Sequence, residues 1–155
     1  FLTTQKLSSL LPTIVSRCRV VHFSRLSAKE LQPILADIDP EDAPFILKIA
    51  NGAPGTVIAL NNDPDLLREH RQIHQTAARF WTDTSLLSRL SALVPLHNRG
   101  KESDRFLFHL GASLRGLNAE HIERCTPSFN RLHAALQTNA HRQLVTQRFA
   151  MEVHS

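Results

Sequence analysis

The sequence predicts a predominantly all-α chain: three short helices, then a bundle of five, after a short α/β remnant at the N-terminus. Three observations lead there. Beyond residue 24, apolar residues recur at intervals of three and four in nearly every segment. Helix-start signals stand ahead of these segments, above all Ser27-Ala28-Lys29-Glu30. Only Phe1–Thr4 and Arg19–Phe23 read as brief extended stretches.

Gln5 to Ser16 carries a short helix or turn ending near Pro12. Ser27 and Glu30 form a capping box, and a helix runs from there to about Asp37. Its apolar side is Leu31, Ile34, Leu35 and Ile38, with Pro33 a site for a kink. Asp39-Pro40-Glu41-Asp42 starts a second helix, its acids at the positive end of the dipole. Phe45, Ile46, Ile49 and Ala50 form its buried face, and Asn51-Gly52 ends it in a left-handed cap. Ala53-Pro54 opens a third helix, because proline is tolerated in a first turn. Asn61-Asn62-Asp63-Pro64 is the best boundary, with Asp63 able to cap a new helix. The domains are thus 1–23, 24–62 and 63–155.

The last ninety residues are helical throughout. Pro64 to about Phe80 carries Leu66, Leu67, Ile73, Ala77 and Phe80 at helical spacing. Thr84 or Ser85 to Val94 comes next, with Pro95 after its end and a loop at His97–Lys101. Ser103 to about Arg124 is one helix, weakened by Gly111 and Gly116, which permit close packing or a break. Thr126-Pro127 and Thr138-Asn139 bound the last two helices, Ser128–Gln137 and His141 to about Val153.

Composition bounds the function. The 155 residues are 42% hydrophobic and 21% charged, enough for a core. The chain opens on Phe1, inside what reads as a strand, so a fragment of a longer protein is expected. No apolar run is long enough to span a membrane, and the start lacks a signal-peptide layout. Two cysteines make no disulfide framework, which fits a reducing cytoplasm. The net charge of +4 is carried mostly by arginine, which suits nucleic acid or acidic protein surfaces. The charges are scattered, however, and no long basic run favours non-specific DNA binding.

One triplet speaks of chemistry: Ser16-Arg17-Cys18, at the end of Leu10-Leu11-Pro12-Thr13-Ile14-Val15. A planar, permanently charged guanidinium suits a phosphate whose charge grows during phosphoryl transfer. A solvated arginine at a helix end is the plainer reading of three letters. Thr4 through Phe23, TQKLSSLLPTIVSRCRVVHF, resembles the clamp-loader branch of the AAA+ ATPases, and within it the delta-prime subunits of bacterial DNA polymerase III. The likeness continues more weakly through the next forty residues and fades after about residue 62.

The resemblance implies that Arg17 is an arginine finger reaching the γ-phosphate of ATP-Mg in a neighbouring subunit, with Ser16 and Cys18 placing it. It implies that Thr4 (or Thr3) sits at the sensor 1 position. It implies a three-helix lid at 24–62 and a helical collar at 63–155. The corner Gly52-Ala53-Pro54-Gly55 has Gly55 where ATP-hydrolysing members carry the sensor 2 arginine, which points to a non-hydrolysing subunit. Asn139-Ala140-His141-Arg142-Gln143-Leu144 looks like the Asn-x-x-Arg-x-Leu ending of delta-prime chains. The implied setting is the DNA polymerase III holoenzyme: a hetero-pentamer with gamma/tau and delta subunits that loads a sliding clamp on primed DNA. The alternatives are a hydrolysing gamma/tau-type subunit, or a helical interaction module without a nucleotide role.

Other constellations carry less. Gly111 and Gly116 have phosphate-loop spacing, but Leu117-Asn118 stand where Lys and Ser/Thr are needed, so no cofactor is expected in this chain. His70 and His74 share a helix face, as do His121 and Cys125, but neither pair has a third ligand in view and no metal is expected. Cys18 as a nucleophile would need a base, and His22, in a β-prone segment, need not face it. Trp81 reads as an interface anchor or as core at a helix end.

Overall fold

The computed structural model describes residues 2–4 and 7–154. After a 3₁₀ turn at Leu7–Ser9 come α1 (Pro12–Val15), α2 (Ala28–Leu35), α3 (Ala43–Ala50) and α4 (Pro54–Asn62). The later helices are α5 (Pro64–Thr82), α6 (Leu86–Ala92), α7 (Lys101–Leu114), α8 (Ala119–Leu136) and α9 (Arg142–His154). The fold is predominantly helical, and no strand occurs among the described residues.

The caps explain where the helices begin. The Ser27 hydroxyl accepts from the Glu30 amide while the Glu30 carboxylate accepts from the Ser27 amide at 2.8 Å, the reciprocal box that the sequence predicts. Asp63 accepts from the amides of Asp65 and Leu66 and so starts α5. Asn118 caps α8 in the same way through the His121 amide. α3 ends with Asn51 and Gly52 both left-handed, at φ 47° and 85°. At Gly52 a Cβ would also meet the Leu26 carbonyl at 2.7 Å, so the site requires glycine twice over. The Leu26 amide donates to the Gly52 carbonyl, tying the lead into α2 to the α3–α4 corner.

Two cores form. Leu31, Ile38, Ile46, Ile49, Ala50, Val57, Leu60 and Leu67 bury against one another in the first. The second gathers Ala77, Phe80, Trp81, Leu93, Leu96, Phe106, Leu110, Leu132, Phe149 and their neighbours. α5 belongs to both: Leu67 seals the first core and Ala77, Phe80 and Trp81 build the second. At the centre of the second, Phe80 stacks on Phe149 at 5.3 Å and meets Trp81 edge to face at 5.0 Å. The Trp81 indole N–H donates to the Leu110 carbonyl and to Ser113 Oγ, both at 3.1 Å, so Trp81 is core.

Several elements differ from expectation. Phe1 lies outside the described residues, and Leu2–Thr4 form no strand: an extended segment without a partner strand has no ladder to join. Gln5 and Lys6 also lie outside the described residues, and Pro12 starts a helical turn rather than ending one. Proline pre-sets the φ of a first helical residue and has no N–H to leave unsatisfied there. The single helix expected over Ser103 to Arg124 is two, broken at Arg115–Asn118 where Gly116 turns the chain. The Thr126-Pro127 boundary is absent, and Pro127 lies inside α8. Pro127 and the residue one turn before it, Glu123, are both exposed, so the disturbed carbonyl faces water while Cys125 and Ser128 hold the other face in the core. Pro95 falls within the 3₁₀ turn Val94–Leu96 that continues α6.

Gly111 and Gly55 respond oppositely to an added methyl. A Cβ on Gly111 would lie 2.9 Å from Phe129 Cζ, whereas at Gly55 nothing stands within 4 Å. Gly111→Ala is expected to lower unfolding free energy by about 1–3 kcal/mol, and Gly55→Ala to raise it by roughly 0.5 kcal/mol. Urea titration followed by circular dichroism checks both; equal responses would contradict the packing described.

Candidate functional site

The Ser-Arg-Cys triplet stands directly after α1. The Arg17 amide donates to the Ile14 carbonyl at 3.1 Å and the Cys18 amide to the Val15 carbonyl at 3.2 Å. Ser16 Oγ donates to the Thr13 carbonyl. The backbone of the triplet is therefore tied to the turn while the Ser16, Arg17 and Cys18 side chains are exposed. Among the described residues the Arg17 guanidinium has no hydrogen bond or ion pair. Thr4 Oγ1 lies 3.3 Å from Ser9 Oγ, which places the Thr4 hydroxyl against the 3₁₀ turn. Cys18 and His22 are both exposed and share no hydrogen bond.

Apolar residues around the triplet are also uncovered. An apolar cleft of about 160 Å³ is lined by Leu2, Leu7, Ile14, Val15, Val20 and Phe23. Phe23 is 95% exposed, and no described residue before Leu31 is buried. Contiguous apolar residues left in water are a feature shared by interaction surfaces, ligand grooves and aggregation-prone segments.

A second polar cluster joins the two cores. His109 of α7, on the same buried stripe as Phe106 and Leu110, is fully buried. Its Nε2 lies 2.9 Å from His70 Nδ1 and its Nδ1 lies 3.4 Å from His74 Nδ1. His74 Nε2 is 3.2 Å from Lys48 Nζ of α3. An ammonium only donates, so Lys48 fixes the direction of the chain. His74 accepts at Nε2 and donates from Nδ1; His109 accepts at Nδ1 and donates from Nε2 to His70. Three neutral imidazoles satisfy the whole row. The i, i+4 pair His70 and His74 does share a face, and sequence reasoning missed its partner. The signal was His109 at helical spacing inside an apolar stripe.

Electrostatics keep this row uncharged. Burial first, then His70, His74, Arg105 and Lys48, push His109 down to about 3. Burial and Lys48 lower His74. Burial and Arg105 lower His70, partly opposed by Glu69, which pairs with Arg105 at 2.6 Å. Among the described residues no group of three or more ligating side chains is arranged to hold a metal ion. The row is wired nitrogen to nitrogen, not converged on a point. His121 instead approaches Asn118 Oδ1 at 2.8 Å beside its cap, and Cys125 is buried in the second core.

The glycines with phosphate-loop spacing have other work. Gly111 lies buried in α7 against Phe129, and Gly116 makes the turn into α8. Gly55 is exposed on the first turn of α4 with open space around it. Arg142, from the Asn-x-x-Arg-x-Leu string, donates to the carbonyls of Leu96 and Leu136 and to Ser103 Oγ at 2.6 Å. One guanidinium thus ties α9 to α7, α8 and the turn after α6. Asn139 Oδ1 accepts from Arg99 at 2.9 Å. No helix among the described residues is long and apolar enough to cross a membrane.

Comparison with protein families, with curated proteins and with solved structures finds no match to this chain.

The histidine row predicts acid sensitivity. A histidine whose folded pKa lies below its unfolded value of 6.5 binds its proton in the unfolded chain first. Stability is therefore complete above pH 6.5 and falls as pH drops toward 3. Each such proton costs at most about 1.4 kcal/mol per pH unit in that window. Urea unfolding at pH 7, 6, 5 and 4 should show the decline, and His109→Leu should flatten it. An unchanged slope in the variant would contradict the assignment to His109.

Proposed function

We propose that this chain is part of a clamp-loader subunit of the delta-prime type: the trailing edge of an AAA+ ATPase domain, a three-helix lid and a five-helix collar. The observation that carries the reading is Arg17. It is exposed, without a side-chain partner among the described residues, and held at the end of a turn by backbone hydrogen bonds. The motif around it resembles the arginine-finger motif of that family. A three-helix unit with its own core, followed by five helices with another, supports the layout. The uncovered apolar cleft beside Arg17 is the kind of surface a strand remnant leaves when its sheet is elsewhere.

In this setting Arg17 does its work on a neighbour. Nothing among the described residues cradles a phosphate, because Gly111 and Gly116 serve packing and a turn. ATP-Mg would belong to the adjacent subunit, supplied with its own phosphate loop. Arg17 would add charge there as the γ-phosphoryl group departs, and only when the interface closes. Ser16 and Cys18 contribute short side chains that leave the guanidinium unobstructed. Gly55, with no side chain at the sensor 2 position, adds no phosphate contact in cis. Partners would be gamma/tau and delta subunits, with the sliding clamp and primed DNA engaged through the assembly. The protein would act in the cytoplasm.

The test is DNA- and clamp-stimulated ATP hydrolysis by a reconstituted loader carrying the full-length subunit, Arg17→Ala against wild type. Assembly of the variant is checked by gel filtration. Turnover at the adjacent site should fall roughly 10³-fold, as for other arginine fingers, with nucleotide binding largely retained. Arg17→Lys should recover little, because an ammonium does not reproduce the fork of the guanidinium. Normal assembly with unchanged turnover would leave Arg17 a surface residue, and failure of the wild-type subunit to assemble would leave a helical interaction module.

A further inference from the structure

Between the two cores runs a groove that clamp loading through Arg17 does not use. Two recesses of about 380 Å³ each flank Phe108, one toward α8 and one toward the α3–α4 corner. They share Arg25, Asn51, Asp104 and Phe108. The first has an apolar floor of Leu107, Gly111 and Phe129 and a rim of Arg25, Arg115 and His133. Arg105 stands at the second. Phe108 itself is 38% exposed.

The charges around the groove are unbalanced. Among the described residues, the carboxylate lining these recesses is Asp104 alone. Glu69 already pairs with Arg105. Among the described residues the Arg25 and Arg115 guanidinium groups have neither an ion pair nor a hydrogen bond. Several other arginines are engaged: Arg131 and Arg148 share Glu152, Arg71 pairs with Asp42, and Arg142 binds two carbonyls and a serine. Among the described residues Arg25 and Arg115 stand unengaged at the polar rim of a recess floored by Leu107, Gly111 and Phe129.

We propose that this groove is a docking site for an acidic protein segment that inserts a bulky apolar side chain beside Phe108 and sets carboxylates against Arg25 and Arg115. Aromatic anchors in desolvated recesses carry most of the energy of such contacts, and Arg binds carboxylates bidentately. A single-stranded nucleic acid fits less well. Stacking needs open ring faces, and the Phe108 ring already meets His109 edge to face at 5.4 Å. The recess toward α8 is open to solvent over a floor of Leu107, Gly111 and Phe129, which suits an apolar side chain laid against it. Arg17 takes no part in this groove, so the docking site stands or falls independently of the proposed function.

The test is fluorescence anisotropy with the full chain and a labelled peptide of about 14 residues, Leu and Phe at helical spacing among Glu residues. Controls are the same peptide with Glu replaced by Lys, and an oligo-dT of about 15 nucleotides. The acidic peptide should bind, weaken with added salt, and lose roughly tenfold or more on Arg115→Glu and on Phe108→Ala. Both positions are exposed, and retained circular dichroism and thermal melting verify that these variants fold. Arg115→Glu should bind the Lys peptide better than wild type does. No binding of the acidic peptide, binding indifferent to both variants, or displacement of the peptide by oligo-dT through Arg115 and Phe108 would each overturn the proposal.

Discussion

The packing of α5 on α7 is the contact on which the rest of the structure depends. α5 is the helix that serves both cores, with Leu67 at one end and Phe80 and Trp81 at the other. Against it α7 lays Phe106, His109, Leu110 and Ser113, one face of a helix at intervals of three and four. The seam is specified by polar contacts as well as by area. Trp81 reaches the Leu110 carbonyl and Ser113, Glu69 meets Arg105, and the histidine row crosses from α5 to α7. Lys48 extends that row into α3, while Arg71 pairs with Asp42 and lies over the Phe45 ring at 4.9 Å. Apolar burial sets the strength of the seam, and these directional groups set its register.

The N-terminal segment is built on a different principle. Its turns are closed locally, by backbone bonds within Leu7–Leu10 and Leu11–Cys18, and none of its described side chains is buried. Its apolar residues face water and its motif arginine is unengaged. Such an uncovered segment offers an apolar surface for packing. Under the proposed function what packs there is the rest of an ATPase domain, and Arg17 meets the nucleotide site of a neighbour. A finger that acts only across a closed interface couples hydrolysis to assembly, because the charge it supplies is absent until the subunits meet.

How much of this was legible in the sequence varied with the range of the physics. Local signals held: the Ser27–Glu30 box, the Asp63 cap and the Asn51-Gly52 exit are each settled within four residues. The helices of the second half were legible as helices because Leu and Phe recur at one period. Their breaks were not. Gly116 ends α7 and Pro127 fails to end α8, since tertiary packing on Cys125 and Ser128 outweighs the local cost of a proline facing water. Gly111 drew notice as half of a false phosphate loop, and its reason is a phenyl ring supplied by another helix. The triplet Ser16-Arg17-Cys18 was legible as a motif but not as geometry, because its exposure depends on what packs around it. His109 was the residue missed, since its partners lie 35 and 39 positions away.

The most direct measurement is a structure of the reconstituted loader, with the full-length subunit, trapped with ADP and aluminium fluoride as a mimic of the transferring phosphoryl group. The Arg17 guanidinium should then lie within hydrogen-bond reach, roughly 3 Å, of the fluoride in the adjacent subunit's site. Leu11, Val21 and Phe23 should be covered by the remainder of the ATPase domain. Arg17 directed into solvent in that trapped state, with another residue beside the fluoride, would contradict the arginine-finger role.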